Sequence, residues 1–408
     1  MASEQLIVPV SSSNMMKIVL VHNAYQQAGG EDVVFESEKR LLEQSGHQVI
    51  PYLRSNMELQ NASALARIAI VPRMVWSSET RRDFAALLDA ERPDVVHVHN
   101  TFMVISPSIY SACSERKIPV VQTLHNFRLL CPSANLYRDG HVCEECVDHG
   151  LLRGVRHACY RDSRAATASV ALMIAVHRKL NTWCESVTRF IALTEFQKQK
   201  FVAAGFPSDK FMVKPNFVDP DPCERASAGE CAVYVGRLAE DKGLRVLLNA
   251  WKRLRTPYPL QIVGDGPERA GLETQARELQ LSGVAFRGRL SRSETMAAIK
   301  NARFIVVPST WYETFGMIIA ESFACGSPVL CSRLGAMAEI VTDQCTGLHF
   351  NPGDAPDLAR KVEWAWEHSA DLARMGRAAR AKYETDYTAK KNYSLLMQIY
   401  EQAVAANN

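Results

Sequence analysis

Two glutamates eight residues apart, Glu313 and Glu321, sit in the segment Pro308-Ser-Thr-Trp-Tyr-Glu-Thr-Phe-Gly-Met-Ile-Ile-Ala-Glu-Ser-Phe-Ala-Cys-Gly-Ser-Pro328. They straddle a turn glycine and the start of an apolar helix. Two carboxylates so placed can each hold a pair of hydroxyls at different points of an extended polar ligand such as a sugar nucleotide. Continuous helix between them would span about 12 Å, an upper bound that suits separate contacts on one such molecule. Glu313 suits sugar hydroxyls and Glu321 a ribose diol, while Thr314, Phe315 and Gly316 can offer backbone donors. The bland alternative makes Glu321 a surface helix residue and Glu313 a cap. It fits poorly with the apolar or small residues that surround Glu321.

A second charged constellation is Gly236-Arg-Leu-Ala-Glu-Asp-Lys-Gly243, just after a strand pattern and ahead of a helix. Arg237 offers a planar fork, Lys242 a mobile point charge, and a helix start adds N–H donors; together they suit a diphosphate. Such cations would also stabilise a departing nucleoside diphosphate as charge builds on it. The plainer reading is a solvated loop paired with Glu240 and Asp241. Gly264-Asp-Gly-Pro267 fails the full dinucleotide fingerprint, and reads as a turn lining a base pocket, with Gly264 and Gly266 as close-approach positions.

Earlier in the chain, Gly29 and Gly30 can bring backbone near a phosphate or sugar at a helix start; a tight turn explains them equally well. His97, His99 and His125 fall at predicted strand ends. His125 is the candidate for a sugar hydroxyl near the anomeric centre, with the others as core or acceptor-side histidines. No Asp-x-Asp metal–diphosphate motif occurs in this cleft-facing part, and Arg237 with Lys242 makes a catalytic metal unnecessary. Cys131, Cys143, Cys146 and Cys159 can supply four thiolates to a structural zinc. A redox pair or buried free thiols are the alternatives.

The elements that must carry these residues are legible in outline. Strand patterns at 17–22, 47–52, 94–99, 119–124 and 190–193, the last closing the set, alternate with helical ones. The pattern restarts at 231–235, 259–263, 284–287, 304–308 and 328–331. Alternation of this kind predicts an α/β fold with mostly parallel sheets covered on both sides. Ligands then bind beyond the carboxyl ends of the strands, and two facing sheets create one cleft. The expected division is a tail over 1–15, an N-terminal domain over 16–214 with a Cys-rich insertion at 131–159, and a proline-bearing linker at 215–222. A second domain follows over 223–388, and then a final helix at 389–408 whose apolar stripe (Tyr393, Leu395, Leu396, Ile399, Tyr400) must dock somewhere.

With 408 residues, 47% of them hydrophobic, there is apolar material for two cores. A net charge of +3 without long basic blocks argues against a nucleic-acid partner. No run of about 18 apolar residues appears, and the start lacks a basic leader and a long apolar stretch. Eleven cysteines, mostly single within apolar segments, suit a reducing compartment, so a cytoplasmic location is expected. The mixed apolar and basic stretch 64–76, with Arg81 and Arg82 beyond, is a candidate for resting on the inner membrane face; a helix packed on the first sheet is the simpler reading.

These residues resemble those of the retaining glycosyltransferases of family 4, whose GT-B architecture sets two Rossmann-like domains face to face. The resemblance runs from about Met16 to the end and is densest in 236–243, 264–267 and 313–321. It implies a nucleoside-diphosphate sugar donor bound by the second domain and a saccharide or lipid-linked saccharide acceptor bound by the first. Arg237 and Lys242 would take the diphosphate, Glu313 the donor sugar and Glu321 the ribose. Gly30 matches the glycine-rich first loop and His125 the histidine beside the reacting sugar. Family members commonly return the last helix to the first domain. The Cys-bearing insertion departs from the minimal pattern and is similar to a subgroup tied to bacterial surface-polysaccharide synthesis. A phosphorylase-like sugar-phosphate enzyme and a non-catalytic sugar-nucleotide-binding protein are the competing functions.

Overall fold

The structure, a computed structural model, describes residues 15–25, 29–59, 71–227 and 229–407. Most of the expected tail, the middle of the first glycine loop and most of the 64–76 stretch lie outside the described residues.

Among the described residues, one six-stranded parallel sheet is formed by β1 (Lys17–Ala24), β2 (Gln48–Ser55), β3 (Val95–Val98), β4 (Val120–Thr123), β7 (Arg189–Ala192) and β8 (Phe211–Val213). Between β4 and β7 lies a hairpin of two-residue strands, β5 (Tyr137–Arg138) and β6 (His141–Val142). A second six-stranded parallel sheet holds β9 (Cys231–Val235), β10 (Leu260–Val263), β11 (Val284–Gly288), β12 (Ala302–Val307), β13 (Val329–Ser332) and β14 (Gly347–Phe350). The strand orders are 2-1-3-4-7-8 and 11-10-9-12-13-14. The strand set predicted to close at 190–193 is therefore corrected by β8, and β14 also went unread. Both are edge strands of three or four residues, too short for periodicity to register.

Both sheets are buried on both faces, as β-rich apolar runs such as Ile18-Val-Leu-Val21 require. In the first, Val96 and Val98 face one cluster with Phe84, Ile109 and Phe127, while Val95 faces the other with Ile18, Leu20 and Phe35. The helix Leu244–Arg253 buries Leu244, Leu247, Leu248 and Trp251, the i, i+3, i+4, i+7 stripe of an amphipathic helix. The helix Ala389–Ala405, capped by Thr388, buries Leu396, Ile399, Tyr400 and Ala403. These side chains pack on Ile18, Leu20, Phe35, Val95 and Val121, so the last helix completes the core of the first sheet. The segment 215–222 is pinned rather than free: Val218 donates to the Tyr387 carbonyl at 3.0 Å, and Arg380 meets Asp221 at 2.7 Å.

In each sheet the strand order reverses beside the central strand, between β1 and β3 and again between β9 and β12. Crevices beyond such reversals are where open α/β sheets take ligands. The loops that leave β1, β3, β9 and β12 carry most of the chemistry-bearing residues.

Candidate active site

The loop after β9 is held to the end of β12 by backbone contact. Gly243 has φ +69°, and a Cβ there would lie 1.9 Å from the Pro308 carbonyl oxygen, so only glycine fits. That approach brings Lys242 to the loop after β12, where its Nζ donates to Glu313 Oε1 at 2.6 Å. Ser309 Oγ and Trp311 Nε1 donate to the same oxygen at 2.8 and 3.0 Å. The Lys242 ammonium also sits 4.8 Å over the Trp311 ring. Glu313 Oε2 receives no hydrogen bond from the described residues. Burial would push the carboxyl up, but the Lys242 charge and the three hydrogen bonds outweigh it and hold Glu313 below its ordinary value.

Arg237 extends from the same loop with its side chain 60% exposed, and its guanidinium is 3.8 Å from Asp241. The 264–267 turn is stitched to this loop. A Cβ on Gly264 would lie 1.8 Å from the Gly236 carbonyl oxygen, and one on Gly266 2.4 Å from that of Leu238. Leu238 donates to the Asp265 carbonyl at 2.9 Å, and Gly264 to that of Gly288 at 2.8 Å. Beyond Glu313 the roles divide. Phe315 is buried and packs edge-on against Tyr387, so its side chain belongs to the core. Gly316, at φ +81°, opens the helix Met317–Ala324. The amides of Thr314, Phe315 and Gly316 donate to no acceptor among the described residues. The Glu321 carboxylate, half-buried on that helix, accepts no hydrogen bond from the described residues. Burial raises its carboxyl to about 7, against the opposing charge of Arg292.

Across the cleft the histidines fall into different places. His97 lies inside β3, fully buried, with Nδ1 on the Tyr400 hydroxyl and Nε2 on Thr123, each at 2.8 Å. It is a core residue, the first of the two readings open for it, although it lies within the strand rather than at its end. His99 follows β3, and its Nε2 lies 3.5 Å from Glu38 Oε2; His99 Nδ1 lies 2.9 Å from His125 Nε2. A carboxylate beside His99 Nε2 favours the proton on that nitrogen, so Nδ1 accepts and His125 Nε2 donates. His125 then presents Nδ1 as a bare acceptor. Burial, with the charges of His22 and Lys214 against that of Glu38, lowers His125 to about 3, so the ring is neutral.

Glu38, His97 and His99 put ligand atoms within 4.8 Å of one another, the spacing of a metal set. The surroundings argue otherwise: the fully buried Lys214 ammonium is bonded to Glu38, and both ring nitrogens of His97 are engaged. Lys214 is the cation of this site. Gly29 and Gly30 have open space, with only Asp32 Oδ2 3.8 Å from a Cβ on Gly29, and Gly29 is extended, so neither glycine is required by its backbone. The Gly29 amide donates to Asp32 at 2.6 Å, and Asp32 in turn meets His22 at 2.8 Å. Glu31 accepts from Asn100 at 2.9 Å and Asn126 at 3.3 Å; burial first, then the charge of Asp32, raise it to about 8. A cavity lined by His99, Asn100, Thr123, His125, Asn126 and Arg128 opens beside this group.

The two halves meet directly. Thr314 Oγ1 donates to the His125 carbonyl at 3.0 Å, linking the loop of Glu313 to the histidine opposite. Glu339 accepts from the amides of Glu195 and Phe196 at 2.8 and 2.7 Å, at the start of the helix Glu195–Ala203. From the Cys-bearing segment, Tyr137 meets Thr310 at 3.3 Å, and Glu144 accepts from Tyr312 at 2.9 Å. In that segment Cys131 Sγ lies 3.1 Å from Ser133 Oγ; the neighbouring Cys146 lowers the Cys131 thiol to about 5, while its own is raised. Among the described residues no three of the four sulfurs of Cys131, Cys143, Cys146 and Cys159 lie mutually within 4.8 Å.

Sequence reasoning missed Ser309, Trp311, Glu38, Lys214, Glu31 and Asn100. Glu38 had a signal: it falls on the buried stripe of its helix beside Val34, Leu41 and Leu42, and a carboxylate there needs a partner. Nothing local marks Lys214 as that partner.

Comparison with known proteins points one way. Residues 28–222 match the family described as Glycosyltransferase Family 4, and residues 224–382 match Glycosyl transferases group 1. The glycogen synthase of Mycobacterium tuberculosis is 34% identical over 320 residues, covering 76% of this chain and 69% of its own. The D-rhamnosyltransferase WbpZ of Pseudomonas aeruginosa is 34% identical over 159 residues, 38% of this chain and 41% of its own. The structure of Anabaena Alr3699/HepE in complex with UDP superposes with a TM-score of 0.65 at 19% identity, over 95% of this chain and 99% of that one. At that identity the likeness speaks for the GT-B fold.

Proposed function

Because the chain belongs to the group 1 and family 4 glycosyltransferases, we propose that it moves a sugar from a nucleoside-diphosphate donor to an acceptor hydroxyl with retention at the anomeric carbon. In this reading residues 223–388 carry the donor, residues 16–214 the acceptor, and 215–222 the joint between them. The diphosphate lies against Arg237 and Lys242, with free amides of 314–316 alongside. The open oxygen of Glu313 accepts from the donor sugar, and Glu321 accepts from the ribose. His125 Nδ1 accepts a sugar hydroxyl from the other side, its tautomer set by His99 and Glu38. Gly264 and Gly266 support the loop beside the base, and Gly29 and Gly30 leave room for the reacting sugar.

The reaction is a substitution on one face of the ring. The bond from the anomeric carbon to the β-phosphate oxygen breaks with its electron pair on that oxygen. The acceptor oxygen bonds the same carbon on the same face, and its proton passes to the leaving phosphate. Arg237 and Lys242 stabilise the charge that builds there, and closing the domains keeps water from competing. The observation that carries this reading is the Lys242–Glu313 pair with one carboxylate oxygen left open, joined by Thr314 to His125. A bacterial surface polysaccharide or glycolipid as product, with the acceptor at the inner membrane face, extends the proposal by resemblance of the Cys-bearing segment.

The test is acceptor-dependent release of nucleoside diphosphate across a panel of UDP-, GDP- and ADP-sugars, with the product's anomeric configuration read by NMR. Glu313→Gln keeps the shape but removes the charge that faces Lys242 and the sugar. Its kcat should fall on the order of 100-fold or more with the melting temperature within a few degrees of the parent. Parental turnover by that variant, or an inverted product, would count against the assigned role or stereochemistry.

A further inference from the structure

The loop that follows β12 has two sides. Ser309 and Trp311 turn to Glu313, and Glu313 to Lys242, so the odd-numbered residues build their contacts within the second domain. The even-numbered ones reach the first domain. Thr310, whose amide is held by the Asp241 carbonyl at 2.9 Å, meets the Tyr137 hydroxyl at 3.3 Å. Tyr312 donates to Glu144 Oε1 at 2.9 Å, and Thr314 to the His125 carbonyl at 3.0 Å. Thr194 Oγ1 donates in return to the Thr314 carbonyl at 3.4 Å. Successive residues of one short loop thus answer to different domains.

The middle contact is built from the most parts. The same Glu144 oxygen accepts from Lys200 Nζ at 2.6 Å, and that ammonium lies 5.0 Å from the centre of the Tyr312 ring and 5.5 Å from that of Phe196. A hydroxyl donating to a carboxylate makes one of the stronger hydrogen bonds. The Phe196 and Tyr312 rings are 4.8 Å apart. Gly335, which opens the helix Gly335–Ile340 of the second domain, has φ +53° and would set a Cβ 3.0 Å from the Phe196 ring and 3.1 Å from that of Tyr312. From the same helix Glu339 holds the amides of Glu195 and Phe196. Glu144, Phe196 and Lys200 are therefore first-domain groups gathered around one tyrosine of the second. Covalent geometry sets the Cα of Glu313 only about 3.8 Å from that of Tyr312, so what fixes the phenol also fixes the carboxylate beside it.

We propose that Tyr312 is a positioning residue: its anchorage to Glu144 and Lys200 makes the hold of Glu313 on the donor sugar depend on the docking of the first domain. This role rests on the donor reading given above, in which the diphosphate lies against Arg237 and Lys242 and the sugar calls on Glu313. Loss of the anchor is then felt by the sugar and not by the diphosphate.

Calorimetric titration of the full chain tests this, using UDP, GDP or ADP alone and the sugar-bearing form of the same nucleotide that supports turnover in the panel above. In Tyr312→Phe the bare diphosphate should bind at parental strength, while the nucleotide sugar binds about 10-fold more weakly and kcat falls. Glu144→Gln should do the same, and the two changes together should cost no more than either alone, because both break one contact. Glu145→Gln, next to Glu144 but paired with Arg138 at 2.8 Å, should bind both ligands as the parent does. The melting temperatures should stay within a few degrees of one another. Equal loss of both ligands in Tyr312→Phe, or parental affinity for both, would overturn the role of Tyr312 and leave the transfer reading standing. A parent chain that turns over no member of the panel would remove that reading, and this role with it.

Discussion

Glu313 gives one carboxylate oxygen to three protein donors and keeps the other open; the carboxylate of Glu321, eight residues on, accepts nothing from the described residues. The two are therefore held in opposite states, Glu313 ionised by Lys242 and Glu321 poised near neutrality by burial. Glu321 titrates from 4.5 unfolded to about 7 folded. Since its folded value is raised, the unfolded chain ionises first and stability falls as pH rises through that window. Donor binding runs the other way, because an ionised carboxylate is the better acceptor for a diol. Glu321→Gln should raise the donor KM about 10-fold or more, flatten its dependence on pH near 7, and raise the melting temperature at pH 8. A KM that keeps its pH dependence in the variant would detach Glu321 from the ribose.

At the scale of elements, the last helix shows why some positions read easily and others do not. Its apolar stripe announces that it must dock, yet only the docking itself explains His97. Residues 95, 97 and 99 share one side of the chain as it runs through β3, and that side is covered by the helix Ala389–Ala405, whose Tyr400 bonds His97. Glu38 and Lys214, 176 residues apart, complete the same buried layer. Helix and sheet here form one core, so trimming the helix should be felt by the fold as a whole. Ile399→Ala should cost about 2–5 kcal/mol in urea unfolding, without a separate early transition for residues 389–405. An early, isolated loss of that helix would show that it adds little to the first core.

For the whole molecule, acid is the expected weakness. Burial lowers His97, His99 and His125 from 6.5, the last to about 3. Below 6.5 the unfolded chain takes up protons that the native chain refuses, so stability falls with pH. Between 4.5 and 6.5 this is partly offset by Glu31 and Glu321, which are protonated in the native state and ionised in the unfolded one. Below 4.5 the offset ends, and Glu38 and Glu313, lowered by their lysine partners against burial, add to the loss. The urea midpoint should decline gently from pH 6.5 to 4.5 and steeply below. A midpoint unchanged down to pH 3.5 would contradict the buried neutral histidines.

By itself the sequence determined the two α/β units, because runs of buried β-branched residues alternating with amphipathic helices admit little else. It also marked the charged loops after β9 and β12, since glycines that must touch backbone and charges beside strand ends leave a local imprint. The tertiary structure alone decided which charge meets which. Lys242 with Glu313, Lys214 with Glu38, and His99 with His125 are pairings between segments distant in the chain, fixed by strand order and by the return of the last helix. Local periodicity carries no information about such long-range neighbours.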